Sequence, residues 1–324
     1  MNHRPQGKVL FLNRSHPLLV ERLESFGFDC EEDLSSSETE LAGRIAGYTG
    51  ILLRSRISVG RDLIEKAVNL KFIAREGVGL EHIETEFAES RGIAVLTSPE
   101  GSRDTVAEHS LGLLLSLMNK LALADRQVRE GQWLREPNRG VEIKGKTVGI
   151  LGYGNMGTAL ARKLQGFEAR VIAYDKYKTG YGDAYAAAVS LEQLQEETDL
   201  FSIHIPYSAS NHYFIDSAFL ERFRKPIYLV NTARGTVLNT ADLVTQLQKG
   251  KVLGAALDVL EYEETSFDQI RPGQWPAPMQ YLLQADNVVL SPHIAGWSVE
   301  SKRGHAEVLA GKIEAIFLVE KLKS

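Results

Sequence analysis

A single cysteine, Cys30, occurs in 324 residues, so no internal disulfide can form and the fold must hold by packing alone. No block of like charge stands out, and 42 acidic against 37 basic residues leave a net charge of −5. A nucleic-acid partner therefore has no electrostatic footprint. No apolar run approaches the roughly 20 residues that a membrane-spanning helix needs. The first residues, Met1-Asn-His-Arg-Pro-Gln-Gly-Lys8, lead straight into a short apolar run without the longer apolar core and cleavage site of a signal peptide. Repeats and low-complexity tracts are also lacking. These absences predict a cytoplasmic protein with no membrane or nucleic-acid partner and no bound metal. What is present is a balance of 44% hydrophobic and 24% charged residues, enough for a sizeable core, in a length that suggests two domains.

Short apolar runs at Val9–Leu12, Ile51–Leu53, Phe72–Ala74 and Ile93–Leu96 alternate with amphipathic segments such as Pro17–Ser25 and Leu80–Arg91. Strands separated by helices of about ten residues imply crossover connections and a parallel sheet. Arg103–Leu121 reads as a long helix apolar on nearly all sides, which suits a core or interface element. A second α/β series follows, with apolar runs at Val148–Leu151, Val171–Tyr174, Leu200–Ile205, Ile227–Val230, Leu253–Leu257 and Val288–Leu290. Six such runs suit a doubly wound nucleotide-binding domain. The helix at Ala241–Lys249 should stop at Gly250. Pro272, Gly273, Pro276 and Pro278 predict a long irregular loop over Glu261–Leu283. The last segment, Ser298–Lys321, reads as a helix that returns to the first domain.

The clearest local pattern is Lys146-Thr-Val-Gly-Ile-Leu-Gly-Tyr-Gly-Asn-Met-Gly157, with Gly152, Gly154 and Gly157 in G-x-G-x-x-G register between a strand and a helix. Gly152 allows the tight turn, Gly154 admits a pyrophosphate against the backbone, and Gly157 lets helix and strand pack closely. The helix N-terminus offers free N–H groups and its positive dipole end to phosphates. Asp175 ends the next strand, 23 positions after Gly152, where a carboxylate takes hydrogen bonds from the adenosine ribose and repels a 2′-phosphate. NAD is the expected cofactor, with Lys176 and Lys178 near enough to keep NADP open.

Three further stretches fall near strand ends of the same domain: Asn231-Thr-Ala-Arg-Gly235, Ala256-Leu-Asp-Val-Leu-Glu-Tyr-Glu263 and Leu290-Ser-Pro-His-Ile-Ala-Gly296. Open parallel sheets bind ligands outside the carboxyl ends of their strands, so the three can converge. Reduction of a 2-oxo acid needs a planar cation for the carboxylate and carbonyl, a role for Arg234. It needs a proton donor that also serves as acceptor, a role for His293. A carboxylate beside that ring fixes it and favours its charged form, a role for Glu263.

With the glycine turn, these stretches resemble the D-2-hydroxyacid dehydrogenase family over nearly the whole chain. The resemblance implies that Arg234, Glu263 and His293 form the catalytic group. It also implies two Rossmann-like or flavodoxin-like doubly wound parallel-sheet domains. The NAD-binding domain (102–297) would be inserted into a substrate domain (1–101 and 298–324), with closure by hinge motion. It places Asn155 and Met156 on the pyrophosphate, His204 and Pro206 near the adenine, Thr232 near the ribose or nicotinamide, and Asp258 at the carboxamide. Thr105, Ala233 and Gly296 join the cofactor set, as do Arg234 and His293. The amides of Gly77, Val78 and Gly79 would hold the substrate carboxylate together with Arg234 and His293. Thr105-Val-Ala-Glu-His109, at the start of the long helix, is another family-like stretch. Four positions depart from the family pattern: Leu260, Ser102, Glu264, which puts the register of Glu263 in question, and Glu76 beside the substrate loop. By family analogy the chain forms a homodimer through the long helix.

Leu53-Arg54-Ser55-Arg56 follows a strand, would point two guanidinium groups at the cleft and is similar to a segment of 3-phosphoglycerate dehydrogenases. Arg54 and Ser55 are accordingly substrate-binding candidates, and 3-phosphoglycerate, the substrate of a serine-biosynthetic enzyme, is the leading specific expectation. Because the sequence ends at Ser324, a C-terminal regulatory domain and its feedback by serine are not expected. A glyoxylate or hydroxypyruvate reductase is the alternative, and a non-enzymatic NAD-sensing corepressor-like scaffold is a third reading. His109 and His204 read as structural or peripheral, and His16, His82, His212 and His305 carry no signal.

Overall fold

In chain order the elements are β1 (Gly7–Phe11), α1 (Pro17–Phe26), β2 (Phe28–Glu32), α2 (Glu38–Ala42), β3 (Gly50–Leu53), α3 (Arg61–Lys66), β4 (Phe72–Arg75), α4 (Thr85–Ser90), β5 (Ala94–Thr97), α5 (Pro99–Met118) and α6 (Leu121–Arg129). They continue with β6 (Thr147–Leu151), α7 (Asn155–Lys163), β7 (Arg170–Tyr174), β8 (Ala187–Ala188), α8 (Leu191–Glu197), β9 (Leu200–Ile203), α9 (Ser217–Glu221), β10 (Ile227–Asn231), α10 (Thr240–Gln248), β11 (Val252–Leu257), α11 (Ala277–Gln284), β12 (Val288–Leu290) and α12 (Val299–Lys323). This computed structural model describes residues 6–263 and 275–323. It divides into two units, Met1–Ser102 with Trp297–Ser324, and Arg103–Gly296.

The first unit is a five-stranded parallel sheet in the order β2-β1-β3-β4-β5, the flavodoxin-like arrangement. Every residue of β3 and β4 is buried, as expected of parallel strands covered on both faces. α1 starts on Pro17, with His16 Nδ1 accepting the Leu18 N–H at 3.2 Å, and stops at Gly27 with φ +107°. Strand β2 was not anticipated, because Phe28-Asp-Cys-Glu-Glu32 lies at the sheet edge and carries mostly polar side chains. Its pairing follows from the return of α1 and not from any periodicity of its own. The helix expected over Leu80–Arg91 is confined to Thr85–Ser90, since Ile83 is held in a parallel bridge with Val59. α12 buries Ala306, Leu309, Ala310, Ile313 and Phe317 against Val9, Phe11 and Phe72 of this unit.

The second unit is a seven-stranded parallel sheet in the order β12-β11-β10-β9-β6-β7-β8. Counted within the unit this is 7-6-5-4-1-2-3, the dinucleotide-fold order with one strand added, and it reverses direction between β6 and β9. β8, two exposed alanines, is too short to register as an apolar run. α5 begins at Pro99, four residues before the expected start, and ends at Met118, and Lys120 in a left-handed conformation separates it from α6. Ala107, Leu113, Leu114, Leu117 and Met118 pack beneath Val148 and Ile150, with Leu111 and Leu115 partly buried at the margin.

The expected irregular loop over Glu261–Leu283 is corrected at its second half, where Ala277–Gln284 is helical with Met279 and Leu282 buried. Pro276 caps this helix and Pro278 sits in its first turn, where a missing N–H costs nothing, so the prolines start a helix instead of preventing one. Glu264, Pro272 and Gly273 lie outside the described residues. Gly250 takes the left-handed conformation expected after α10, with φ +74°.

Candidate active site

At the end of β6 the chain turns on Gly152, whose φ of +93° and whose distance of 2.8 Å from a built Cβ to the His204 carbonyl leave room only for glycine. A Cβ on Gly157 would lie 2.2 Å from the Gly152 oxygen, so the first turn of α7 packs directly on the strand. A Cβ on Gly154, the N-cap of α7, would meet nothing within 4 Å. The turn therefore leaves an open approach to the first backbone amides of α7, including those of Asn155 and Met156. Gly157→Ala is expected to push helix and strand apart and weaken NADH binding about tenfold, measured by fluorescence titration. Unchanged affinity would show that the close packing is dispensable.

Asp175 follows β7 and is tied to this turn. One oxygen accepts the Tyr153 N–H at 2.9 Å, and the other accepts those of Tyr177 and Lys178 at 3.0 and 3.2 Å. The Lys178 ammonium donates to the Tyr153 carbonyl at 2.7 Å. Past β9, His204 donates its backbone N–H to Leu151 and pairs its Nε2 with Ser202 Oγ at 2.8 Å, while its Nδ1 is buried without a partner. Burial pulls this ring down to about 4, so it is neutral at neutral pH. Pro206, close by, is exposed.

The turn after β10 is built by Asn231, fully buried, whose Oδ1 accepts the Ala233 N–H and whose Nδ2 donates to the Arg234 carbonyl, both at 3.0 Å. A Cβ on Gly235 would lie 2.1 Å from the Leu260 carbonyl carbon, so this turn abuts the one after β11. Arg234 is half-buried and donates from Nη1 to the Ala233 carbonyl at 2.7 Å. Thr232 shares a hydrogen bond of 2.9 Å with Ser110 of α5.

In the neighbouring turn the Glu263 N–H donates to the Leu260 carbonyl, and its Oε1 accepts the Leu260 N–H in return. This reciprocal closure ties Glu263 to the turn after β11. Oε2 of Glu263 lies 2.6 Å from His293 Nδ1, so two side chains 30 positions apart in sequence form a carboxylate–imidazole pair. His293 itself has φ +53°, a conformation that costs a side-chain-bearing residue energy and recurs at functional sites. Its N–H donates to the Asp258 carbonyl at 2.8 Å.

Asp258 is 1% exposed. Its carboxylate accepts the Ser291 hydroxyl at 2.6 Å, the Ile294 N–H at 2.9 Å and the Ala295 N–H at 2.8 Å, and His109 Nε2 stands 3.2 Å away. Burial alone raises its pKa, but the hydrogen bonds from His109, Ser291, Ala295 and Ile294 outweigh it and hold the group below the usual carboxylate range. Asp258, His109 and Ser291 therefore form one polar cluster that shapes the loop carrying His293. Sequence reading missed Asn231 and Ser291 as scaffolding, while His109, read as structural or peripheral, takes a structural place beside Asp258. The available signal was a polar side chain at the end of an apolar strand.

In the first unit Gly77, with φ +152°, donates its N–H to the Arg75 carbonyl at 2.9 Å and lies 3.2 Å from Ser98 Oγ. That amide is engaged within the unit. The amides of Val78 and Gly79 have no hydrogen-bond partner among the described residues. Ser98 also meets His305 Nδ1 at 2.8 Å, and burial, with Arg54 and Arg75 pushing the same way, lowers that ring to about 4. Arg56 does not point outward with Arg54. Its guanidinium donates to the carbonyls of Leu12, Ser36 and Asp33 at 2.9, 2.8 and 2.7 Å, because these loop carbonyls have no other donor to satisfy them in the described structure. Arg54 and Ser55 remain half-buried at the end of β3.

A parallel sheet whose strand order reverses and a glycine turn with an open helix N-terminus together define a doubly wound α/β fold of the dinucleotide-binding class. The family model for the D-isomer specific 2-hydroxyacid dehydrogenase NAD binding domain matches residues 111–295. The chain belongs to the D-isomer-specific 2-hydroxyacid dehydrogenase family, and its cofactor is NAD(H). It is 36% identical over 263 residues to the hydroxypyruvate reductase of Thermotoga maritima, covering 81% of this chain and 83% of that one. It is 32% identical over 308 residues to the D-3-phosphoglycerate dehydrogenase of Archaeoglobus fulgidus, covering 94% of this chain but 56% of that one. The chain thus spans about half the length of that relative. Among solved structures, the D-lactate dehydrogenase of Aquifex aeolicus complexed with NAD and lactic acid superposes with a TM-score of 0.80 at 27% identity, covering 98% of this chain and 96% of that one. Among the described residues, no group of side chains is arranged to hold a metal ion and no helix is long and apolar enough to cross a membrane.

Proposed function

We propose that this chain interconverts a D-2-hydroxy acid and its 2-oxo acid, with the unit Arg103–Gly296 binding NAD(H) and the unit Met1–Ser102 with Trp297–Ser324 binding the substrate tail. The observation that carries the reading is the 2.6 Å contact between Glu263 and His293 in the same unit as the glycine turn. The open space at Gly154 suits a pyrophosphate against the backbone, and in this reading Asn155, Met156 and Asp175 hold the dinucleotide. When bound, NAD(H) supplies or accepts the hydride. The guanidinium of Arg234 holds the substrate carboxylate and polarises the C2 carbonyl as negative charge builds on its oxygen. With Nδ1 engaged by Glu263, Nε2 of His293 gives the proton to that oxygen in reduction and removes it in oxidation. Glu263 compensates the charged ring and keeps it aimed. Asp258 organises the loop, and within the first unit the amides of Val78 and Gly79 are the donors offered to the substrate.

Phosphoglycerate oxidation, and with it a place in serine biosynthesis, is the second reading, favoured by the similarity to the Archaeoglobus enzyme over 94% of this chain. Against it stands the loss of Arg56 to backbone carbonyls. A homodimer through the long helix is carried by family analogy. The lone cysteine accords with a cytoplasmic setting. Incubating the protein with NADH and a panel of 2-oxo acids, and following the nicotinamide absorbance, tests the reaction. Turnover of at least one acid is the expected outcome, and turnover of none would leave the NAD-sensing scaffold as the better account.

A further inference from the structure

Glu76 follows β4 immediately before the Gly77–Gly79 loop and is only 6% exposed. One carboxylate oxygen, Oε2, lies 3.2 Å from Nε of Arg54, and the other, Oε1, is buried without a hydrogen-bond partner. The Arg54 guanidinium is otherwise flanked by the exposed ring of Trp297, 5.9 Å from its centroid. Burial holds the pKa of Glu76 above the usual carboxylate value, and Arg54, the Ser15 hydroxyl and Lys302 offset only part of that rise. Arg56, the other guanidinium of this segment, is spent on three backbone carbonyls. The face therefore presents one arginine whose charge is already matched, next to a buried acceptor that lacks a donor. A buried acceptor left unpaired costs free energy, and a ligand that supplies a donor recovers it. A ligand that brings a second anion meets like-charge repulsion instead.

We propose that Glu76 is the specificity-determining residue for the substrate tail: by matching Arg54 it selects a short 2-oxo acid with an uncharged, hydroxyl-bearing tail and rejects one ending in phosphate or a second carboxylate. The proposal rests on the reading of Arg54 as a substrate-binding residue made above. The test compares kcat/KM for hydroxypyruvate and 3-phosphohydroxypyruvate with NADH in the wild type, Glu76→Gln and Glu76→Ala. Binding of 3-phosphoglycerate to the NAD+-loaded protein is measured by calorimetry alongside.

The wild type is expected to prefer hydroxypyruvate. Both variants are expected to shift the ratio toward the phosphorylated acid about a hundredfold, through removal of a like charge. Binding of 3-phosphoglycerate should tighten in parallel, and adding Arg54→Ala to Glu76→Gln should abolish the gain. The isosteric glutamine guards against a variant that fails to fold. A wild type that turns over the phosphorylated acid as well as hydroxypyruvate overturns the proposal, as does a ratio or an affinity that Glu76→Gln leaves unchanged. Absence of turnover with every acid defeats the proposed reaction but not the role of Glu76, which the calorimetric comparison of the wild type with Glu76→Gln still decides.

Discussion

Replacing His293 with asparagine is expected to lower kcat by about a hundredfold to ten-thousandfold, the range that a positioned general acid–base contributes, while the dissociation constant for NADH stays near its wild-type value. Asparagine is the informative replacement because residue 293 sits at φ +53°, a conformation asparagine tolerates better than alanine does. The loss then reports on the imidazole and not on a rearranged loop. The ring is held by Glu263 at 2.6 Å and the backbone by Asp258 at 2.8 Å, so the second anchor survives the substitution. Glu263→Gln should cost less than His293→Asn, and the double variant no more than the worse single, because the two side chains act as a unit. Steady-state rates with single-turnover controls check this. A fall of kcat below about tenfold would assign the proton transfer to another group.

Replacing Arg234 with lysine keeps the charge but removes the planar fork. It is expected to lower kcat/KM for the 2-oxo acid by about a hundredfold to a thousandfold, the scale of losing one preorganised donor at a developing oxyanion. The effect should fall on both KM and kcat, since the guanidinium binds the carboxylate and polarises the carbonyl. The turn itself is kept because Asn231 holds it through two hydrogen bonds of 3.0 Å, besides the one from Arg234 to the Ala233 carbonyl. NADH titration should therefore be unaffected, and wild-type kcat/KM in Arg234→Lys would remove the arginine from the mechanism. Arg234→Ala serves as the comparison in which the charge is also lost.

The parts of the fold that were legible share one property. Strands such as Phe72–Arg75 and Val252–Leu257 are buried along nearly their whole length and so announce themselves as apolar runs. β2 is an edge strand with mostly polar side chains around the buried Phe28, and β8 is two exposed alanines, so their pairing leaves little trace in the residues themselves. Prolines 276 and 278 were misread because proline both breaks and begins helices, and only the location of the first turn separates the two effects. Glu263 and His293 could be nominated as a pair from their chemistry. Their 2.6 Å contact depends on the turns after β11 and β12 lying side by side.

From residue order alone came whatever depends on local geometry: the glycine turn at Gly152, Gly154 and Gly157, the alternation of strands and helices, and the chemical identities of Arg234, Glu263 and His293. Backbone sterics and periodicity act over a few residues and are written in those residues. The partners of each polar group were decided in three dimensions. Arg56 turned to backbone carbonyls, Gly77 gave its amide to Arg75, Asp258 gathered its own loop, and Glu76 matched Arg54. A buried polar group must find a partner wherever the folded chain places one, and that choice is made by contacts between residues far apart in the chain.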